Sequence, residues 1–401
     1  MDCAPIDGTR AAEHPSPMDA RIPRLDHRAR HRIGDGSLDT FRAHLNREAL
    51  PDEWPLAMRV ERNVPLYAGS TIRSLGSDGL ADLEAEWAAC LLEGPGVFVI
   101  RRALPDHDVI DRATTIFEHL IETEAGEGDH FAAAGANDRV WNAAQKHCLA
   151  DPMNFARYYG NVAIAAACRA WLGPNYQVTA QVNRVNPGGA AQCPHRDYHL
   201  GFMSPDEARL YPAHVHTMSP RLTLQGGIAH HDVPVEQGPT MLLPFSQTLP
   251  EGYVAFTRAE FRDVFAERHI QLPLTKGDAL FFNPALMHGA GENRTDRPRL
   301  VNLLQVSSAF GRAMEALDRT AMCAALYPVL LDTGLTNAER EAAIAACAEG
   351  NAFPTNLDTD PPVDGMAPRN QANLMRGHLA RRAEPTAFEA ALQAMDERRR
   401  A

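Results

Sequence analysis

The sequence predicts an α+β protein with a mainly β core, an antiparallel jelly roll or barrel, flanked by helices on both sides. Three observations carry that reading. Short β-forming segments separated by turns recur between Gln177 and Ser307. Before them, apolar residues fall at helical spacing, as in Leu80, Leu83, Trp87 and Leu91. After Arg312 the helical signal returns: Thr336-Asn337-Ala338-Glu339 and Thr386-Ala387-Phe388-Glu389 both fit a capping box ahead of an Ala- and Leu-rich run.

Residues 1–50 are polar and punctuated by Pro and Gly, so a mobile arm is expected, partly helical near Ser37–Glu48. The cluster Arg28-Ala29-Arg30-His31-Arg32 reads as a solvated face. Asp78 is expected to cap a helix running to Leu92, which Gly94-Pro95-Gly96 ends. Val97-Phe98-Val99-Ile100 is a short strand, and Asp106 opens a second helix carrying Val109, Ile110, Ile116, Phe117 and Leu120. A Gly- and Ala-rich loop spans Ala125–Asn137, and two or three helices fill Asp138 to Leu172. Gln177–Val185 alternates as a half-buried strand does. Further strands are expected at Arg221–Ala229, Met241–Pro244, Ala279–Phe282 and Leu300–Ser307, and an ordered loop at Phe353–Pro368. The organisation expected is an arm over 1–50, a jelly-roll domain with N-terminal helices over 51–312, and a helical extension over 313–401 packed on the core.

A net charge of −12 argues against nucleic acid or an anionic membrane as partner and leaves a small-molecule substrate as the expectation. The arm lacks the apolar segment of a signal peptide, and no run approaches a membrane span, so a cytoplasmic location is expected. Seven widely spaced cysteines without a CxxC pair read as reduced thiols, Cys193 among them with a packing role. Oligomeric state is left open.

The chemistry concentrates in Cys193-Pro194-His195-Arg196-Asp197-Tyr198-His199. On an extended segment His195 and Asp197 point to one face, roughly 6–7 Å apart at the backbone, and can close on one metal ion. A third ligand should come from a later strand. His288 is the best placed: it follows an apolar strand and lies in a turn with Gly289 and Gly291. His119, His199, His214, His216, His230 and His231 compete, with His199 expected on the pocket wall. Arg299 stands eleven residues after His288, at the start of a strand. Iron(II) held by two His and one carboxylate keeps open positions that 2-oxoglutarate can chelate, leaving one for O2. The far carboxylate of 2-oxoglutarate then needs a planar cation, which Arg299 supplies, whereas Arg294 and Arg297 read as solvated. Gln181, Asn183, Thr223 and Gln225 alternate along strands and are candidates for contact with cosubstrate or substrate.

This ordered set, HxD, a distal His and an Arg eleven residues later, resembles the phytanoyl-CoA dioxygenase family of Fe(II)/2-oxoglutarate oxygenases. Three other stretches share the likeness, which spans about Gly94 to Ser308. Glu236–Gln247 is similar to the family's "NGP…PGSH" turn and strand, Gly277–Phe282 to its "GD…F" strand, and His288–Arg299 to its distal block. Two departures stand out. Ala290 replaces a frequent Ser or Thr, and Pro244-Phe245-Ser246-Gln247 lacks the Gly and His of "PGSH". The resemblance implies a double-stranded β-helix of the jelly-roll, cupin-like kind. It also implies a dioxygenase that hydroxylates or otherwise oxidises a C–H bond, with Fe(II), 2-oxoglutarate and O2. The family's substrates are diverse, and no basic cluster here suits the phosphates of coenzyme A. The Ala125–Asn137 loop and the His199–His216 region are expected to shape the pocket. Two other readings stand beside it: a zinc hydrolase on the same three ligands, and a metal-free jelly-roll binding protein.

Overall fold

The computed structural model describes residues 30–31, 34–123, 136–197, 203–250, 252–332, 334–351, 355–363 and 365–400. The arm over 1–29, most of the Arg28–Arg32 cluster, Cys3, His199, parts of the 353–368 loop, and all but the last two residues of the Ala125–Asn137 loop lie outside them.

Ten strands are described: β1 (Arg59–Glu61), β2 (Val64–Ala68), β3 (Val97–Arg101), β4 (Asn137–Val140), β5 (Gln177–Val185), β6 (Thr223–Ala229), β7 (Met241–Leu242), β8 (Ala279–Phe282), β9 (His288–Gly289) and β10 (Arg299–Ser307). Eight form one sheet in the order β1-β2-β3-β8-β6-β10-β5-β4, antiparallel except where β2 meets β3. β7 and β9 pair apart from it. Bridges of His195 to His288 and of Leu242 to Ile270 widen that pair into a second, smaller layer. Together they form the double-stranded β-helix.

Strand alternation divides the core in two. The outward residues Phe98, Ile100, Val178, Ala180, Val182, Phe281, Leu304 and Val306 pack under helices. The covering helices include Ser77–Leu92, His107–Thr123 and Val162–Leu172 before β5, and Arg319–Leu330 and Asn337–Cys347 after β10. The inward residues Val97, Val99, Leu280 and Phe282 meet Leu242, Leu272, Leu274 and Leu286 of the smaller layer. No helix among the described residues is long and apolar enough to cross a membrane.

Several sequence expectations are corrected. Asp138–Val140 is not helical but belongs to β4, which pairs with β5, and Asp138 Oδ2 accepts from Arg184 Nε (3.0 Å) and Asn186 Nδ2 (2.9 Å). Tertiary pairing there overrides local preference. Gly76 rather than Asp78 caps the Ser77–Leu92 helix. Thr386 caps nothing: Pro385 already opens the final helix, a first-turn position that suits proline. The Thr336 capping box does form, with Glu339 answering it. The strand expected through Pro244 stops at Leu242, and proline has no N–H to give a ladder.

The turn before β8 joins the sheet to the loop after β3. Gly277 has φ +86° and a Cβ there would lie 2.2 Å from the Leu104 carbonyl oxygen, so only glycine fits. Fully buried Asp278 then accepts from Arg101 Nη1 (2.6 Å), Arg102 N (2.7 Å), Thr275 N (2.8 Å) and Thr275 Oγ1 (2.9 Å). Asp278→Ala removes the carboxylate partner of Arg101 and strands two backbone donors, and is expected to cost about 3–5 kcal/mol, measured as a lowered midpoint in urea unfolding.

Candidate metal centre and cosubstrate pocket

The centre is built by backbone pairing. His195 N donates to His288 O at 2.9 Å, and His288 N to His195 O at 3.1 Å. The bridge sets the two imidazoles side by side, ring centroids 4.5 Å apart. Pro194 excludes a regular helix through this segment, and Asp197 N donates to Pro284 O at 2.9 Å, turning the carboxylate inward. His195 Nε2 lies 3.6 Å from Asp197 Oδ1, and His288 Nε2 3.6 Å from Asp197 Oδ2. All three ligand atoms fall within 4.8 Å of one another, the single such grouping among the described residues.

Each ring is oriented by its other nitrogen. His195 Nδ1 donates to Cys193 O at 2.9 Å, and His288 Nδ1 to Leu286 O at 2.8 Å. A carbonyl only accepts, so Nδ1 carries the proton and Nε2 turns its lone pair to the common point. Burial lowers the His195 pKa from its ordinary value, against the raising effect of Asp197, which favours the neutral ligand form. Burial would push the Asp197 carboxyl up, but His195, His288 and the Gln225 amide outweigh it and hold it below the ordinary carboxylate range. Gln225 Nε2 donates to Asp197 Oδ2 at 2.7 Å. Two imidazoles and an ionised carboxylate with one open side suit a divalent metal such as iron.

A cavity of about 360 Å³ opens onto these ligands between the two layers. Arg299 reaches into it from the first residue of β10 and is itself buried. Its contact with Gly291 O is long, 3.5 Å, and its Nε has no hydrogen-bond partner among the described residues. Burial lowers its pKa to about 10, which leaves it cationic at neutral pH. A buried cation so poorly satisfied fits a ligand carboxylate. Gly238, at φ +71°, packs under Glu292 and Gly291, holding the loop before β10 close to β7.

Gln181, Asn183 and Gln225 all line the cavity; Thr223 is buried but does not. Asn183 Oδ1 and Gln225 Oε1 have no partner among the described residues, while the Gln225 nitrogen is already committed to Asp197. Arg294 and Arg297 are exposed. The competing histidines lie elsewhere. His119 is exposed; His216 holds Ala208 O at 2.9 Å; His230 sits between Thr114 and Tyr158; His231 accepts from Leu300 N. Exposed Cys193 lines the cavity and gives its carbonyl to His195. Sequence reasoning misses Arg139, Gln192 and Met314, which also line it. Arg139 lies on a strand read as helix; Gln192 Oε1, which accepts from Ala290 N at 3.0 Å, carries no pattern signal.

The family model for phytanoyl-CoA dioxygenase (PhyH) matches residues 82–301, more than half of the 401-residue chain. The chain belongs to the phytanoyl-CoA dioxygenase family. It is thus a member of the Fe(II)/2-oxoglutarate-dependent dioxygenases, with iron and 2-oxoglutarate as cofactor and cosubstrate. Among solved structures it is similar to SnoN, a non-heme alpha ketoglutarate dependent epimerase from nogalamycin biosynthesis. A SnoN complex with Fe3+, alpha ketoglutarate and nogalamycin RO has 22% identity over 57% of this chain and 85% of that one, TM-score 0.44. The carbocyclase SnoK of the same biosynthesis has 19% identity over 59% and 86%, TM-score 0.41. HygX from Streptomyces hygroscopicus, solved with nickel and 2-oxoglutarate bound, has 15% identity over 61% and 92%, TM-score 0.41. No curated relative matches.

Gln225→Leu removes the donor that orients Asp197 without touching a ligand. Divalent-metal affinity is expected to fall by about ten- to a hundredfold, read by Mn(II) titration, with the metal-free unfolding midpoint close to that of the parent.

Proposed function

We propose that the protein oxidises, most simply hydroxylates, a C–H bond of a small-molecule metabolite, with His195, Asp197 and His288 as metal ligands and Arg299 as the partner of the 2-oxoglutarate tail. One observation carries this reading: three convergent ligand atoms share a cavity with a buried arginine whose Nε has no partner among the described residues. When bound, iron with 2-oxoglutarate and O2 supplies an oxidant for unactivated C–H bonds and releases succinate and CO2.

The chain's own residues set the geometry. Cys193 and Leu286 carbonyls fix the tautomers of the two imidazoles, and Gln225 holds the carboxylate, so the ligand set is organised before metal arrives. Arg299 stays charged although burial lowers its pKa to about 10, and offers its fork to the distal carboxylate. Asn183, whose amide oxygen has no partner among the described residues, and Gln181 line the same cavity and are available to polar groups of cosubstrate or substrate. Leu280, Phe282, Val301 and Leu303 wall the cavity with apolar surface and limit water.

A zinc hydrolase on the same ligands leaves Arg299 without a role, and a metal-free binding protein leaves the ligand set without one. Anaerobic titration with Fe(II) and 2-oxoglutarate separates them from the oxygenase, for which a weak visible metal-to-ligand charge-transfer band is expected; no band would support one of the other two. His195→Ala and Asp197→Ala are each expected to abolish substrate-stimulated succinate release, and full activity in either refutes the assignment. Arg299→Met is expected to raise the Kd for 2-oxoglutarate at least roughly tenfold, the loss of one to two charge-assisted hydrogen bonds, measured by the same titration.

A further inference from the structure

We infer that Gly227 is a specificity-determining residue for the cosubstrate: the space left by its missing side chain admits the carbon chain of 2-oxoglutarate between the metal centre and Arg299. The inference rests on the proposed metal centre and its Arg299 anchor. Register rules the inner face of the large sheet into rows. Gln225 on β6 lies opposite Gln305 on β10 and Phe282 on β8. Gln225 holds Asp197, and the Phe282 ring meets the His288 ring with centroids 4.7 Å apart, so this row lies at the metal centre. In the next row Gly227 lies opposite Leu303 and Leu280, and Leu303 lies opposite Gln181 on β5. The row after that sets Val301 opposite Ala229, and Arg299 follows two residues nearer the start of β10. The Gly227 row therefore stands between the metal ligands and the arginine, and all four of its residues line the cavity.

Glycine weakens a strand interior, and where it occurs it marks a bulge, a tightly approached backbone or the close approach of a ligand. β6 has no bulge here, because its pairing with β10 and β8 runs unbroken through Gly226 and Gly227. Neither glycine has a positive φ, so the backbone does not require one. Gly226 is explained by packing: a Cβ there would lie 2.7 Å from the Phe281 ring on the helix-covered face. Gly227 faces the other way. Among the described residues, a Cβ on it would meet Val301 Cγ1 at 3.2 Å and Leu303 Cδ2 at 3.8 Å, with no third contact within 4 Å. Both belong to the cavity wall. A small shift of one methyl would let the sheet accept a side chain at this position; the cavity would lose that room.

The chemistry of the row matches the middle of the cosubstrate. 2-Oxoglutarate carries its chelating group at one end, a carboxylate at the other and two methylenes between them. Leu280 and Leu303, on either side of Gly227, give those methylenes an apolar floor, and the missing side chain lowers the floor between them. A chelator without the chain, such as oxalate, has nothing to place over Gly227. A side chain at 227 would thus discriminate by chain rather than by chelating group. Branching at Cβ makes the obstruction rigid, since a valine has few rotamers through which to withdraw.

The test uses the full chain loaded with Mn(II), with 2-oxoglutarate and oxalate as probes and Kd read by calorimetry. Gly227→Val is expected to raise the Kd of 2-oxoglutarate roughly tenfold or more, the scale of misplaced methyl groups in an apolar pocket. The Kd values of oxalate and of Mn(II) itself are expected to stay within about twofold of the parent. Gly227→Ala serves if the Val variant does not fold, and is expected to give the same selective loss on a smaller scale, about threefold. The proposal is overturned if 2-oxoglutarate binds the variant as it binds the parent. It is equally overturned if oxalate or Mn(II) weakens in step with 2-oxoglutarate, since the substitution would then disturb the metal centre rather than the path of the chain. If the parent binds oxalate but not 2-oxoglutarate, the reading of Arg299 falls and takes this one with it. If Arg299→Met weakens 2-oxoglutarate and Gly227→Val does not, only this one falls.

Discussion

Two backbone hydrogen bonds between His195 and His288 are what the centre depends on. His195 lies in an irregular segment, and β9, which carries His288, is only two residues long. Neither piece would hold its place alone. Their mutual pairing, and the pairing of β9 with Met241 and Leu242 of β7, convert two short segments into a layer. Once that layer exists, the imidazole positions follow from the backbone rather than from side-chain packing. Asp197 is then two residues from a fixed point, and its own N–H on Pro284 sets the direction of its carboxylate. A ligand set specified by backbone hydrogen bonds tolerates a varied cavity wall, which agrees with catalytic residues on loops carried by a rigid sheet.

The opposite wall obeys a different constraint. β10 pairs along nine residues with β5 and along seven with β6, so its register is over-determined. Arg299 is its first residue, and a one-residue slip would turn the guanidinium away from the cavity. Asn293 locks the approach to β10, its Nδ2 donating to Val185 O (3.1 Å) and Arg297 O (2.7 Å). Gln237 adds a bond from its Nε2 to Pro298 O (2.9 Å). The arginine's burial is thus enforced by the sheet. Its poorly met hydrogen-bonding capacity persists because the surroundings leave it no alternative.

Legibility in the sequence follows the range of the interaction. The long strands β5, β6 and β10 announce themselves by alternation, and the ligands by residue type and spacing, because both signals are local. β4 is unreadable for the opposite reason: Asn137-Asp138-Arg139-Val140 has no strand pattern of its own and is ordered by β5 and by Asp138 binding Arg184 and Asn186. Arg139 is lost with it. The short strands β1 and β2, and the helices Ala213–Met218 and Ala259–Arg268 between later strands, carry equally weak local signals. Gln225 is legible as a polar strand residue, but its contact with Asp197, 28 positions earlier, is not. Asp78 and Thr386 fail as caps, because Gly76 and Pro385 already start those helices, while Asp106 and Thr336 hold.

The departures from the family's turn after β7 show how a substitution is absorbed. Where the resemblance expects glycine stands Phe245, at φ +68°, a left-handed conformation that costs a residue with a Cβ about 1 kcal/mol or more. Phe245 N donates to Pro95 O at 3.0 Å, so the turn cannot relax without breaking a contact to the segment ahead of β3. The Phe245 carbonyl accepts from a ring nitrogen of His44 at 3.2 Å, and the Arg47 guanidinium lies over the phenyl ring, 4.6 Å from its centroid. Both partners come from or just after the Leu38–His44 helix, a part of the chain outside the family match. Ser246, the one residue of the "PGSH" signature retained beside the proline, still faces inward. Its hydroxyl accepts from Met287 N at 2.8 Å, next to ligand His288. Keeping that contact while replacing the glycine requires something to hold the strained residue, and the N-terminal helix supplies it. The helix is therefore coupled to the metal centre through one turn, Phe245-Ser246, rather than lying idle on the surface of the β-helix.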